Sequence, residues 1–168
     1  MKVAIALVGL LFAAAAFGQA SPVAATAACG PDISFKVKLD DSQHTPAQPD
    51  AGKAQVYFLQ DAGTGTFAYP VVKTAIDGAW VGANHGSSYF SVSVEPGEHH
   101  VCVMVQSSLV HQRVELAHFT AEADRIYYYR TRLIVAGTLE LLELNLIDSD
   151  QGKYLVASFP LSLSSLKK

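Results

Sequence analysis

From Ile33 onward the chain alternates. Ile33, Phe35, Val37 and Leu39 are apolar and Ser34, Lys36 and Lys38 lie between them, the period-2 signature of a strand with one wet face. The same reading predicts strands over 53–60, 66–76, 79–82, 87–94, 98–106, 113–120, 125–135 and 138–147. Phe90, Val92 and Val94 oppose Tyr89, Ser91 and Ser93. The run 98–106 is apolar on both faces at its centre, which predicts a place inside a sheet. Pro70 argues against a central place for 66–76. The alternation of 138–147 slips at Leu141-Leu142, as a β-bulge would make it do. Only 148–157 predicts a helix, capped by Asp148 or Ser149 and anchored by Tyr154 and Leu155, with Gly152 and Val156 counting against it. Asp77-Gly78 suits a tight hairpin, because both central residues need positive φ. Asn84-His85-Gly86 and Pro96-Gly97 predict further turns, and the Asp-, Pro- and Gly-rich stretch 40–52 a surface loop. This pattern predicts an all-β fold, an antiparallel β-sandwich of immunoglobulin-like or prealbumin-like type, with about eight to nine strands and at most one short C-terminal helix. The single domain is expected over 33–160, followed by a disordered tail over 161–168.

The first residues read as an address. Lys2 precedes an uncharged apolar run, Val3 to Phe17, and Gly18-Gln19-Ala20 ends it with small residues at the cleavage positions. Residues 1–20 are therefore expected to be a secretory signal peptide, the run being shorter than the roughly 20 residues of a spanning helix. Residues 21–32 are expected to be a flexible arm carrying Cys29. Outside a reducing cytosol, Cys29 and Cys102 pair most simply as one disulfide. Its loop of about seventy residues is worth roughly 4 kcal/mol of chain entropy. The alternative is a lipidated Cys29 on an outer-membrane lipoprotein. Against it, Thr26-Ala27-Ala28-Cys29 lacks Leu or Val at the third position back, and Cys29 stands far beyond Phe17. The expected location is periplasmic or extracellular, with no transmembrane segment after cleavage.

Composition changes this picture little. Fifty per cent hydrophobic and 16% charged residues rule out a disordered chain. A net charge of −3 argues against a face that reads nucleic-acid phosphates.

The chemistry-bearing residues form no familiar catalytic constellation. Among six histidines, His85, His99 and His100 are the metal candidates, with Glu95 or Glu98 as a carboxylate ligand. His99 and His100 are adjacent in a strand, face opposite sides and cannot chelate together. Gly86-Ser87-Ser88 lacks the strand–turn–helix setting of a hydrolase elbow, and Gly63-Thr64-Gly65 lacks the helix of a phosphate loop. No cofactor is expected. Tyr57, Trp80, Tyr127 and Tyr129 are candidates for ligand stacking, although Trp80 also reads as a core plug. Arg130 and Arg132 share a strand face and are candidates for an anionic partner, or for pairing with Glu115, Glu140 or Glu143.

The order Lys53-Ala54-Gln55-Val56-Tyr57, Ile76-Asp77-Gly78-Ala79-Trp80-Val81-Gly82, Gly86-Ser87-Ser88-Tyr89-Phe90, Glu95-Pro96-Gly97-Glu98-His99-His100 and Ala121 to Tyr129 resembles a domain-of-unknown-function family of small bacterial exported and lipoprotein-like proteins. It also resembles, more loosely, the PEGA-type carbohydrate-related surface domains. The similarity covers roughly Lys53 to Gly152, and the lipobox of the lipoprotein members is poorly matched. The resemblance implies a β-sandwich in the envelope with no established catalytic residues. The expected function is a non-catalytic envelope domain, structural or bound to envelope proteins or cell-wall polymer. A carbohydrate or small-ligand binding module is the alternative, and a histidine-based metal protein or enzyme the third.

Overall fold

The computed structural model describes residues 29–44, 46–62, 70–106, 113–136 and 139–167. Among the described residues, ten strands and one helix follow in order: β1 Phe35–Asp40, β2 Ala54–Asp61, β3 Val71–Ile76, β4 Ala79–His85, β5 Ser88–Val94, β6 Gly97–Gln106, β7 Val114–Ala121, β8 Ile126–Ala136, β9 Leu139–Ile147, α1 Ser149–Ser158 and β10 Leu161–Leu166. They build two sheets, β1-β10-β5-β2-β8-β9 and β4-β3-β6-β7, and the fold is an all-β sandwich. The pairing is not wholly antiparallel as expected. β2 runs parallel to β8, and β10 parallel to β5. The long excursion through the smaller sheet lies between β2 and β8, which makes a parallel return possible.

Alternate side chains explain the layers. Val56 and Phe58 of β2, Phe90 of β5, and Tyr129 and Leu133 of β8 meet Val72, Val101, Val103 and Phe119 of the smaller sheet. The other face of the large sheet presents Tyr57, Leu59, Tyr89 and Tyr128 to Leu155 and Val156 of α1. β2 is thus buried on both faces, and Val56 to Leu59 is apolar without a break because neither face meets water. Each such side chain contributes about 1.5–3 kcal/mol by leaving water.

α1 begins where Asp148 caps it, its carboxylate accepting the N–H groups of Asp150 and Gln151. Gly152, which counted against a helix, is what lets α1 dock. A Cβ there would fall inside the Tyr128 ring.

Several expectations need correction. The tail is not disordered, because Leu161–Leu166 pairs with β1 along its whole length, from Asp40↔Leu161 to Phe35↔Leu166. Ser162 anchors it, its hydroxyl donating to the buried Ser88 Oγ at 2.8 Å. β9 has no bulge, for its register with β8 runs unbroken. Its alternation slips because Leu141 is 44% exposed beside the buried Leu142. The register shift lies instead between Thr74 and Ala75, where β3 meets β4. β3 is central, between β4 and β6. Pro70 precedes its first residue, so the missing N–H falls outside the ladder.

The expected signal peptide and residues 21–28 of the arm lie outside the described residues. The rest of the arm is fixed rather than flexible. Cys29 is bonded to Cys102, with Cα atoms 5.3 Å apart. This bond takes the sulfur that a lipid on Cys29 would need, and a disulfide fits an oxidising, exported location. Asp32 pairs with the ammonium of the buried Lys73 at 2.5 Å, and the Ile33 carbonyl accepts from the same group at 2.8 Å. No helix among the described residues is long and apolar enough to cross a membrane.

Candidate functional site

The hairpin β3–β4 turns at Asp77 and Gly78, with φ of 51° and 79°, as the Asp-Gly pair predicts. That turn sets Asp77 against the start of β6. Its Oδ1 accepts the His100 N–H at 2.8 Å, and its own N–H donates to the His100 carbonyl at 2.8 Å. Its Oδ2 accepts from His99 Nδ1 at 2.7 Å. On the far side of the ring, His99 Nε2 donates to the Glu95 carbonyl at 2.7 Å. Both ring nitrogens face acceptors, so the imidazolium is the form that satisfies both. Burial works to lower the His99 pKa, but the Glu95 carbonyl and the Asp77 carboxylate outweigh it and hold it above the ordinary value. At Asp77, burial works upward, and the hydrogen bonds from His100 and His99 outweigh it, holding the carboxyl below its usual range. His99 faces inward, its ring 5.6 Å from that of Phe119.

The metal candidates do not converge. His99 is committed to Asp77 and Glu95. His85 ends β4 opposite Val71, and Val71 pairs with Gln106. That is six residues along β6 from His100, roughly 20 Å. His100 instead faces His118 of β7, a residue not singled out from the sequence. Their ring centroids are 6.4 Å apart. Among the described residues, no group of three or more His, Cys, Asp or Glu is placed to hold a metal ion.

The stacking candidates divide between core and surface. Tyr57 is 1% exposed and Tyr129 2%, the first under α1 and the second between the sheets. The Tyr57 hydroxyl donates to the Ala47 carbonyl. Burial pushes the Tyr129 phenol up to about 12. Tyr127 is half-buried, its hydroxyl donating to the Thr120 carbonyl. Trp80 is no plug between the sheets. It lies half-buried on the outer face of the smaller sheet, packed on the Cys29–Cys102 cluster, with the Lys73 ammonium 4.4 Å from its ring centroid.

The arginine candidates share the outer face of the large sheet. Arg132 Nε lies 3.8 Å from an Asp61 carboxylate oxygen across β2 and β8, and on its other side Arg132 stands opposite Glu143, one of the expected glutamates, in the register of β8 with β9. Arg130 Nε is buried with no hydrogen-bond partner among the described residues.

Sequence reasoning passed over the contrast between the two edges of the large sheet. At one edge, the Gln106 side chain clasps the outer backbone of β1, accepting the Phe35 N–H and donating to its carbonyl. Lys36 and Lys38 flank that contact. At the other edge, no described strand pairs with the outer side of β9. Leu141 and Leu146 stand 44% and 55% exposed on it. Beside its C-terminal end a cleft of about 370 Å³ opens between Arg125, Tyr127 and Tyr128 on one side and Leu146, Ile147 and Ser149 on the other. The signal was available, since 139–147 reads Leu-Glu-Leu-Leu-Glu-Leu-Asn-Leu-Ile, with no Lys and no Pro. No family model matches the chain, and no curated protein matches it.

Proposed function

We propose that this chain is an exported, non-catalytic envelope domain that binds a protein partner by strand addition to β9. The observation that carries the reading is the asymmetry of the large sheet's edges. Proteins blunt exposed edges with lysines, prolines or covering groups. β1 has two lysines and the Gln106 clasp, whereas β9, paired with β8 on its inner side, has no described strand on its outer side and carries exposed leucines. An extended segment laid along it would gain ladder hydrogen bonds and bury Leu141 and Leu146. Its end would reach the cleft at Leu146–Ser149. The disulfide and the signal-peptide pattern support an envelope location. The burial of Tyr57 and Tyr129 removes two of the four rings from any carbohydrate platform.

A photo-crosslinker placed at Leu146 should yield one adduct in envelope extracts, competed away by unlabelled protein. Leu146→Lys in the unlabelled competitor should abolish that competition while leaving its melting temperature within about 2 °C. Equal competition by the variant would overturn the reading. N-terminal sequencing of the cell-derived protein should begin at Ser21.

A further inference from the structure

We propose that His100 and His118 form a two-imidazole site for a divalent late-transition cation, Cu²⁺ or Zn²⁺, on the outer face of the smaller sheet. The argument begins with pair type. Val105 N–H donates to the Arg113 carbonyl, which makes odd-numbered residues of β6 the hydrogen-bonded partners of β7. His100↔His118 is therefore a non-hydrogen-bonded pair, the type that brings facing side chains closest. The backbone agrees. His100 directs its N–H and carbonyl toward Asp77, away from β7.

The rings lie near the geometric requirement. An ion held about 2.0–2.1 Å from one nitrogen of each imidazole sets the ring centres about 5 Å apart at a tetrahedral angle, and beyond about 6 Å only when nitrogen, metal and nitrogen are in line. They stand 6.4 Å apart, both exposed, and turns about their side-chain bonds have to bring the centres about 1 Å closer. Among the described residues neither ring makes a hydrogen bond, in contrast to His99, whose nitrogens are both engaged. Asp77 holds the backbone of His100 at two points, so one ligand of the pair is already ordered. Water completes the coordination, which leaves open positions. Imidazole nitrogen suits Cu²⁺ and Zn²⁺, and Cu²⁺ binds the tighter by the usual order of divalent affinities.

The test is calorimetric titration of the untagged, oxidised full chain with CuCl₂ and with ZnCl₂. Wild type should bind one equivalent of each at this pair. Because the second imidazole acts as an intramolecular ligand, His118→Gln and His100→Gln should each weaken binding about a hundred-fold. His85→Gln, at the opposite end of the sheet, should bind as wild type does. The Cu²⁺ complex should show two nitrogen couplings by electron paramagnetic resonance, and one in either variant. Thermal melts confirm that the variants fold. If His118→Gln keeps wild-type affinity and both nitrogen couplings, the proposal fails. It fails equally if the double variant binds as tightly as wild type.

Discussion

Removing the disulfide should cost this protein about as much as truncating a large core side chain. Cys29 and Cys102 are separated by 73 positions. Loop-closure entropy for that span is about 15 cal/mol/K, or about 4.4 kcal/mol at 25 °C. With unfolding entropy near 2.1 cal/mol/K per residue over a domain of about 140 residues, Tm should fall by roughly 15 °C. The double variant Cys29→Ala/Cys102→Ala is the cleaner perturbation, because serine would leave hydroxyls in a site that is fully buried. Scanning calorimetry of oxidised parent and variant measures the difference. A second contribution separates the entropic account from a structural one. Without the bond, the segment 29–33 stays in place only through Asp32 and Ile33 on Lys73 and through Pro31, whose carbonyl accepts from Trp80 Nε1. If that segment detaches, the buried Lys73 ammonium loses both partners, adding about 1–3 kcal/mol. Lys73→Met in the double-alanine background then recovers part of the loss, whereas in the oxidised parent it does not. A double-alanine variant melting within 3 °C of the parent would refute the loop-closure reasoning.

Gly152→Ala should destabilise despite alanine's better helix propensity, because overpacking against Tyr128 costs about 1–3 kcal/mol against a propensity gain of about 1 kcal/mol; urea titration gives the balance. Asn84→Ala should cost about 1–3 kcal/mol by the same assay, since the Asn84 amide donates to the buried carbonyls of Phe58 and Ser88. The Asp77–His99 pair predicts a pH window, measured by thermal melts in EDTA. His99 is raised above 6.5, so its stabilisation is complete below that pH and fades as pH rises through the folded-state value. Asp77 is lowered below 3.8, so its stabilisation is complete above that pH and fades as pH falls through the folded-state value. His99→Gln should flatten the alkaline side of this profile, and an unchanged profile would show the pair to be inert. Deleting 161–168 should remove the only described strand paired with β1 and give a chain that melts well below the parent or fails to fold, as circular dichroism would show.

The residues that carried most information were those whose constraint is local. Asp77-Gly78 needs two positive φ angles, and the turn is where the dipeptide placed it. Phe90 and Tyr89 alternate between core and outer layer because a pleat has period two. Cys29 and Cys102 were the only two thiols to pair. What escaped was whatever depended on register between distant segments. His100 meets His118 only because of the offset between β6 and β7, and no local pattern in either strand specifies that offset. Gly152 counted against a helix, while its purpose is to admit a ring from β8. Arg132 reached Asp61 because β2 lies parallel to β8, a pairing that alternation within either strand cannot reveal.

The same limit explains why the last segment was misread, and it bears on how the fold closes. Leu-Ser-Leu-Ser-Ser-Leu is half polar and sits at the chain end, where propensity alone says coil. Its stability comes from partners at the other end of the domain, Phe35 to Asp40, and from Ser88 and Tyr89 in the middle. β1 in turn is held by Gln106 and, through the adjoining segment, by Lys73 and Cys102. One end of the large sheet is therefore assembled from the first and last described strands, with the disulfide beside it. Such closure requires loops spanning nearly the whole domain, and that makes folding slow. Until β10 arrives, the outer edge of β5 is bare. When it does arrive it covers that edge only at the Leu161↔Tyr89 pair, so β9 is one of several strand edges among the described residues, with β4 and β7 ending the smaller sheet.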